Sequence, residues 1–388
     1  MRIWVIYILI IGLFGLSLFN LITLPYIFAW KLSILTTQMG IWFALIALIG
    51  LFILYNSKID TKVRLMLTGL TLIAIVSYLA PLMAVVRQQD QWRLDLEQSF
   101  GSTTNPRSLW SLKTTLFGRG ELAIPFVRGN YNIDAPNEIP INIDRYLPLK
   151  SVDSSPWILV IHGGGWDSGN SEQLPDLNSH LANLGYTVFS IDYRLAPKVR
   201  WPEIKSDVLK AIAYIKSHSQ AWNIDANRWV ILGRSAGGQI AGAVAYSLKG
   251  VDRPQGFVSL YAPTDLTFGY EVGYEDDILA SRGLIRALMG SPPLQNSDLY
   301  KTASMIEQVS INSCPTLLIH GKLDTLVWFK HAERLSSRLK VIGVKAAALV
   351  VPWGPHGFDF FLNGPEGQIS TAAIEHFLDR MLPVKQLR

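Results

Sequence analysis

From Trp229 to Leu248 an apolar strand pattern, Trp229-Val230-Ile231-Leu232, runs without a spacer into Gly233-Arg234-Ser235-Ala236-Gly237-Gly238 and then into a small-residue helix. A strand that bends directly into a helix leaves little room in the turn, and glycines at 233 and 237 remove the Cβ atoms that would crowd it. The serine between them is presented at the apex, where its hydroxyl can meet a base. A Gly-x-Ser-x-Gly match alone decides little. Its context does more, because similar breaks from apolar strand to loop recur on both sides and confine this part of the chain to alternating strands and helices.

The candidate strands are Ala123 to Arg128, Ile139 to Tyr146, Trp157 to His162, Thr187 to Asp192, Trp229 to Leu232, Gly256 to Tyr261, Thr316 to His320 and Ala346 to Val351. The first two are expected at an antiparallel edge. Helical stretches such as Glu203 to Gln220 separate the later ones, which implies a mostly parallel sheet covered on both faces. Ligands of such sheets gather at the carboxyl ends of the strands.

Besides the Ser235 turn, three of those ends carry chemistry. His162-Gly163-Gly164-Gly165-Trp166 follows a buried strand, and consecutive glycines let backbone N–H groups approach a developing oxyanion. Thr316 to His320 breaks into Gly321-Lys322-Leu323-Asp324, and Val350-Val351 into Pro352-Trp353-Gly354-Pro355-His356. The order Ser235, Asp324, His356, each on a loop after a strand, is that of a Ser-Asp-His triad. Asp265, after the strand that follows the serine strand, is the second candidate acid.

Through these motifs, with Asp192-Tyr193-Arg194-Leu195-Ala196-Pro197 and His356-Gly357-Phe358, the chain from about 120 to its C terminus resembles the hormone-sensitive-lipase-like and feruloyl-esterase-like branch of the α/β-hydrolases. The resemblance implies an α/β-hydrolase fold with about eight strands. It implies Ser235 as nucleophile, His356 as general base and then acid, and Asp324 as the carboxylate that orients it. The oxyanion donors would be the N–H groups of Gly164, Gly165 and Ala236. One elbow residue departs from the pattern, since the branch usually has Asp where this chain has Arg234. The arginine is expected to hold a neighbouring loop, with a pairing to Asp192 or to an anionic substrate as the alternatives. Trp166, Arg234 and Trp353 are the candidate pocket residues, and the long segment 266–300 is a candidate lid.

The remaining histidines and the cysteine read as structural. His180, His218, His331 and His376 fall in helical or helix-end segments and are expected at the surface. His320 suits a structural hydrogen bond, and His162 is expected to fix the glycine loop. Cys314 lies at a strand start without a nearby base. These residues show no metal-ligand spacing, so neither a metal nor another cofactor is expected. A single cysteine excludes an internal disulfide.

The hydrophobic fraction of 49% is concentrated before residue 90, in the runs Ile3 to Trp30, Leu32 to Ser57 and Leu65 to Val86. Each exceeds the ~20 residues that cross a hydrocarbon core. Three transmembrane helices are therefore expected, at about 3–28, 33–56 and 65–86, with Pro25 and Pro81 as points of kinking or early ending. A signal peptide has a much shorter apolar region. Residues 91–120 read as linker and lead-in, and 121–388 as the catalytic domain. Basic residues near the span ends, Arg2, Lys58, Lys62 and Arg64 against Lys31, Arg87 and Arg93, favour a cytoplasmic N terminus and a non-cytoplasmic catalytic domain. The net charge of +5 is dispersed among carboxylates and forms no nucleic-acid patch. The expected partners are a bilayer and an ester, whether small molecule, lipid or glycan. The sequence leaves open a deacylase of envelope glycan or lipid esters, a small peptidase, and a non-catalytic binding module.

Overall fold

The computed structural model describes residues 3–22, 24, 26–103, 108–121, 123–131, 141–149 and 154–384. Pro25, residues 104–107 within the expected linker and lead-in, and positions 139 and 140 of the second candidate strand lie outside them.

The apolar N-terminal third forms α1 (Ile3–Ser17), α2 (Ile27–Gln38), α3 (Gly40–Tyr55) and α4 (Thr61–Phe100). The expectation of three transmembrane helices is corrected here. Among the described residues α4 is the single unbroken helix long and apolar enough to cross a bilayer. At about 1.5 Å per residue the 15 residues of α1 reach roughly 22 Å, short of a ~30 Å hydrocarbon core. The second run divides into α2 and α3, bent by 79°. Polar groups explain both breaks. Asn20 Nδ2 donates to the Ser77 carbonyl at 3.1 Å and Ser77 Oγ to the Ser17 carbonyl at 2.8 Å, tying the end of α1 to α4. Gln38, at the end of α2, donates through Nε2 to Glu366 Oε2 at 2.5 Å, outside the N-terminal bundle altogether.

The third run is longer than expected. Pro81 sits inside α4 without ending it, and the polar stretch Arg87 to Gln98, expected as lead-in to a linker, continues the same helix to Phe100. The reason is packing: Val85, Trp92, Leu96 and Phe100 form one stripe buried in the core of the C-terminal domain, where Phe100 meets Phe377 edge to face at 4.9 Å.

From Phe126 the chain builds an eight-stranded sheet: β1 (Phe126–Tyr131), β2 (Ile141–Tyr146), β3 (Ser155–Ile161), β4 (Thr187–Ile191), β5 (Ile224–Arg234), β6 (Gly256–Leu260), β7 (Thr316–Gly321) and β8 (Ala346–Val351). The order is β1-β2-β4-β3-β5-β6-β7-β8. β2 pairs antiparallel with both β1 and β4, and β3 to β8 are parallel. Only β1 is therefore an edge strand at this end, whereas the sequence pattern placed both there. Every residue of β3, β4, β6 and β7 is buried, as continuous apolar runs require when helices cover both faces.

The helices are α5 (Leu112–Phe117), α6 (Pro175–Asn183), α7 (Glu203–Ser217), α8 (Ala236–Ser247), α9 (Leu266–Val272), α10 (Ser281–Met289), α11 (Ser297–Ala303), α12 (Lys330–Val341) and α13 (Pro365–Met381). One core layer centres on the stacked indoles of Trp157 and Trp229, 4.9 Å apart, and the other on Phe377 and the buried stripe of α4.

Candidate active site

The bend between β5 and α8 places Ser235 at φ 51° and ψ −123°, in the left-handed half of backbone space. Such strain persists only where the surroundings hold it, and it recurs at functional sites. The turn is held by packing on both sides: a Cβ at Gly233 would overlap the Gly237 carbonyl, and one at Gly237 would overlap the carbonyl oxygen of His162. The loop after β3 thus lies directly against the elbow, and no residue larger than glycine lets it come so close.

The loops after β7 and β8 bring the other two residues alongside. His356 Nε2 lies 2.9 Å from Ser235 Oγ, and His356 Nδ1 lies 2.7 Å from Asp324 Oδ2. Asp324 Oδ1 accepts the N–H groups of Leu326 and Val327 at 2.9 and 2.8 Å, which fixes the carboxylate plane. Burial alone would raise the Asp324 pKa, but the charge of His356 and hydrogen bonds from His320 and His356 hold it well below the usual carboxylate range. The carboxylate is ionised and can hold a proton on Nδ1, which leaves Nε2 free to take the serine proton.

The glycine loop is anchored through Gly163 and His162. Gly163 N donates to Gln173 Oε1 at 2.7 Å, and His162 Nδ1 bonds the Gly163 carbonyl at 2.7 Å while its ring stacks on Tyr193 at 4.3 Å. Burial lowers the His162 pKa and keeps the ring neutral, so Nδ1 carries the proton and donates. The N–H groups of Gly164, Gly165 and Ala236 meet no protein acceptor among the described residues. Two of the loop glycines have positive φ, Gly164 at 116° and Gly165 at 60°.

Arg234 is fully buried and pairs with Asp359 at 2.7 Å through Nε, while Tyr261 Oη donates to the other Asp359 oxygen at 2.5 Å. Arg234 therefore holds a neighbouring loop, and Asp192, the alternative partner, accepts instead from Asn142 Nδ2 and the Ser171 N–H. Asp359 lies three residues after His356, so the arginine grips the histidine loop. Tyr261 reinforces this, its ring 4.5 Å from the imidazole.

Two cavities meet at Ser235. The larger, about 890 Å³, is lined by Gly164, Gly165, Leu279, Leu284, His356 and one face of α2. The smaller, about 190 Å³, is lined by Trp166, Ala236, Ile285 and Trp328. Trp166 is mostly core, with its indole N–H bonded to Gln239 at 2.9 Å. Trp353 is corrected as a pocket residue: it faces Phe19, Ile22 and Trp30 in a separate recess that does not reach Ser235. Segment 266–300 folds into α9, α10 and the start of α11, and sends Leu279 and Leu284 into both cavities.

Asp265 caps α9 through the Phe268 N–H and pairs with Arg334 at 2.7 Å, leaving no contact with His356. The expectation of surface histidines fails for three of them. His180 is buried between Glu121 and Glu375, His331 under Thr264, and His376 against the Gly101 carbonyl. Each sits on the inward stripe of an amphipathic helix that the residue type alone did not mark. Cys314 is buried, and burial pushes its thiol up to about 12, which makes it unreactive.

Sequence reasoning missed the α2 wall. Trp30 Nε1 donates to the His356 carbonyl at 2.8 Å, and Ile34 and Leu35 line the larger cavity. The usable signal was the polar punctuation Lys31, Ser33, Thr36, Thr37 and Gln38 inside an otherwise apolar run. It missed as well that His320 Nε2 reaches Asp324 Oδ2 at 3.1 Å besides the Val327 carbonyl at 2.9 Å.

The sheet order and strand-end loops define an α/β-hydrolase fold. The BD-FAE family model matches residues 143–339, 197 of the 388 residues, and the chain belongs to that family. Two relatives from Mycobacterium tuberculosis are similar: "Probable carboxylic ester hydrolase LipM" is 28% identical over 250 residues, 61% of this chain and 57% of that protein. "Esterase LipC" is 29% identical over 240 residues, 58% of this chain and 59% of that one. The chain thus spans under two thirds of either relative. Among solved structures, an acetyl ester-xyloside bifunctional hydrolase from Caldicellulosiruptor lactoaceticus is 26% identical with a TM-score of 0.56, covering 65% of this chain and 92% of its own. A carboxyl esterase from Tuber melanosporum shares the fold at a TM-score of 0.57 and 23% identity, over 68% of this chain and 89% of its own.

Proposed function

We propose that this protein is a membrane-anchored serine hydrolase that cleaves carboxylic esters. The observation that carries the reading is the unbroken chain of hydrogen bonds from Ser235 through His356 to Asp324 at the floor of a largely apolar cavity. Its similarity to carboxylic-ester hydrolases supports the same reaction. His356 Nε2 takes the serine proton as Oγ attacks the ester carbonyl, and Asp324 stabilises the imidazolium that forms. The oxyanion turns toward the N–H groups of Gly164, Gly165 and Ala236. His356 returns the proton to the leaving alcohol, and water then releases the acid by the same steps in reverse. The anchor is α4, with α1 and α3 packed along its first half, and the balance of Arg2, Lys58, Lys62 and Arg64 against Lys31, Arg87 and Arg93 favours a non-cytoplasmic catalytic domain.

A fluorophosphonate probe should label the wild type and leave Ser235→Ala unlabelled, and the variant should lose more than about ten-thousandfold in ester turnover. Equal labelling of both proteins would refute the assignment.

A further inference from the structure

The larger cavity is bounded on one side by a helix that belongs to the membrane region, and the placement of that helix follows from the bundle. Residues Thr61 to Tyr78 of α4, 18 residues, run along α1 and α3. At about 1.5 Å per residue this stretch covers roughly 27 Å, close to a hydrocarbon core. Its inner end is marked by Tyr78, whose hydroxyl donates to the Leu13 carbonyl at 2.6 Å, and by Ser17, Asn20 and Gly40 at the same level. Beyond it α4 enters the hydrolase core. α2 joins α3 at this level with a bend of 79°, so it lies across the end of the bundle, in the plane where a bilayer surface would be.

One face of α2 forms the wall of the cavity above Ser235 through Ile27, Trp30, Ile34 and Leu35. Its N-terminal approach is exposed and apolar: Leu21, Tyr26 and Phe28 are 54%, 56% and 57% exposed, and α1 and α3 carry exposed apolar residues of their own, among them Ile8 and Phe52. Lys31, exposed at the cavity rim, is placed to reach lipid headgroups while its stem stays on apolar surface. A cavity of about 890 Å³ is near the upper end of the ~300–1,000 Å³ usual for ligand sites, which suits a long chain better than an acetyl group.

We infer that α2 is an interfacial helix that opens the catalytic cavity to the bilayer, and that the substrate is a long-chain acyl ester of a membrane lipid entering from the membrane side. The inference rests on the esterase reading above. The acyl chain lies against α2 with its carbonyl carbon at Ser235. The bond from that carbon to the lipid alcohol breaks as the serine ester forms, the alcohol leaves with the proton held by His356, and water then releases the fatty acid.

The test uses the full chain in phosphatidylcholine vesicles, with a fluorogenic palmitoyl ester in the bilayer and p-nitrophenyl acetate in the water. The readout is the ratio of the two rates in one preparation, which does not depend on the fraction of protein folded. Leu21→Asp/Phe28→Asp places charge on the apolar approach and touches neither cavity. It should lower the ratio at least about tenfold, because a carboxylate resists insertion at the interface. Ile34→Trp, which narrows the α2 wall, should shift the preferred chain length of a p-nitrophenyl ester series toward shorter acids. An unchanged ratio in the first variant, or unchanged length preference in the second, overturns the proposal. Wild-type protein that cleaves the acetate but not the palmitoyl ester overturns it too and leaves the esterase reading standing. Failure to cleave either ester refutes both.

Discussion

His356 is gripped from two sides by regions of opposite character. Behind it, the hydrolase core holds the loop through Arg234, Asp359 and Tyr261, a buried charged network of which Arg234 and Tyr261 also border the larger cavity. In front, the apolar N-terminal region holds the same loop through one neutral hydrogen bond from Trp30 and ring contact from α2. The core grip is strong and inflexible, because a buried charge without its partner is intolerable. The α2 grip is weak, so it can change with what lies in the cavity. The charged grip thus lies in the hydrolase core, and the neutral one comes from α2, a wall of the larger cavity.

The sharpest way to break this comparison is in the core. Arg234→Met leaves the Asp359 carboxylate buried with Tyr261 as its remaining partner, and the loss of stability should be about 3–5 kcal/mol. Denaturant unfolding measures it. Two nitrogens of Arg234, Nη1 and Nη2, have no protein acceptor among the described residues, so the pair is not an optimised source of stability. Arg234→Met/Asp359→Leu should therefore recover most of the loss while activity stays low, because the histidine loop has lost its grip. A single variant as stable as wild type would show that the core network does not hold the loop.

The two grips differ equally in how far they could be read from sequence. Ser235, Asp324 and His356 were legible because each stands just past a run of apolar strand residues, a position that marks chemistry in a parallel sheet. The bond between Arg234 and Asp359 joins residues 125 apart, and no local pattern announces a partner at that distance. α2 was misread for another reason. Hydropathy records that Ile34 and Ala29 are apolar but not whether they face lipid or protein, and both are buried against protein. The long stripe of α4 through Trp92 and Leu96 was hidden by the charges that separate its members. What the sequence did carry was the polar residues Asn20 and Gln38, beside which the apolar runs break.

The far end of α2 supplies a test by pH. Gln38 bonds Glu366, in the first turn of α13, and burial pushes that carboxyl up to about 8. Its value in an unfolded chain is near 4.5, so between those limits the folded protein binds more protons than the unfolded one. Stability contributed here is present below about pH 4.5, declines as pH rises through the window, and is gone above about 8, with a slope of at most ~1.4 kcal/mol per pH unit. Glu366→Gln keeps the amide partner and removes the proton, and its unfolding free energy should fall less steeply over this range. Parallel curves for the two proteins would mean that the fold does not hold the Glu366 carboxyl protonated.

The smallest effect is the most specific. Trp30→Phe keeps an aromatic ring on the cavity wall but removes the N–H that the His356 carbonyl accepts, a loss of about 1 kcal/mol. A wall residue would act on substrate binding and change KM, most of all for long chains. A residue that positions the imidazole would act on the chemical step instead, because a small tilt of His356 lengthens its reach to Ser235 in the transition state as in the ground state. If α2 does both, kcat for p-nitrophenyl acetate should fall about fivefold with KM unchanged, since acetate is too short to need the α2 wall. An unchanged kcat would confine α2 to the wall and leave His356 held by the core alone.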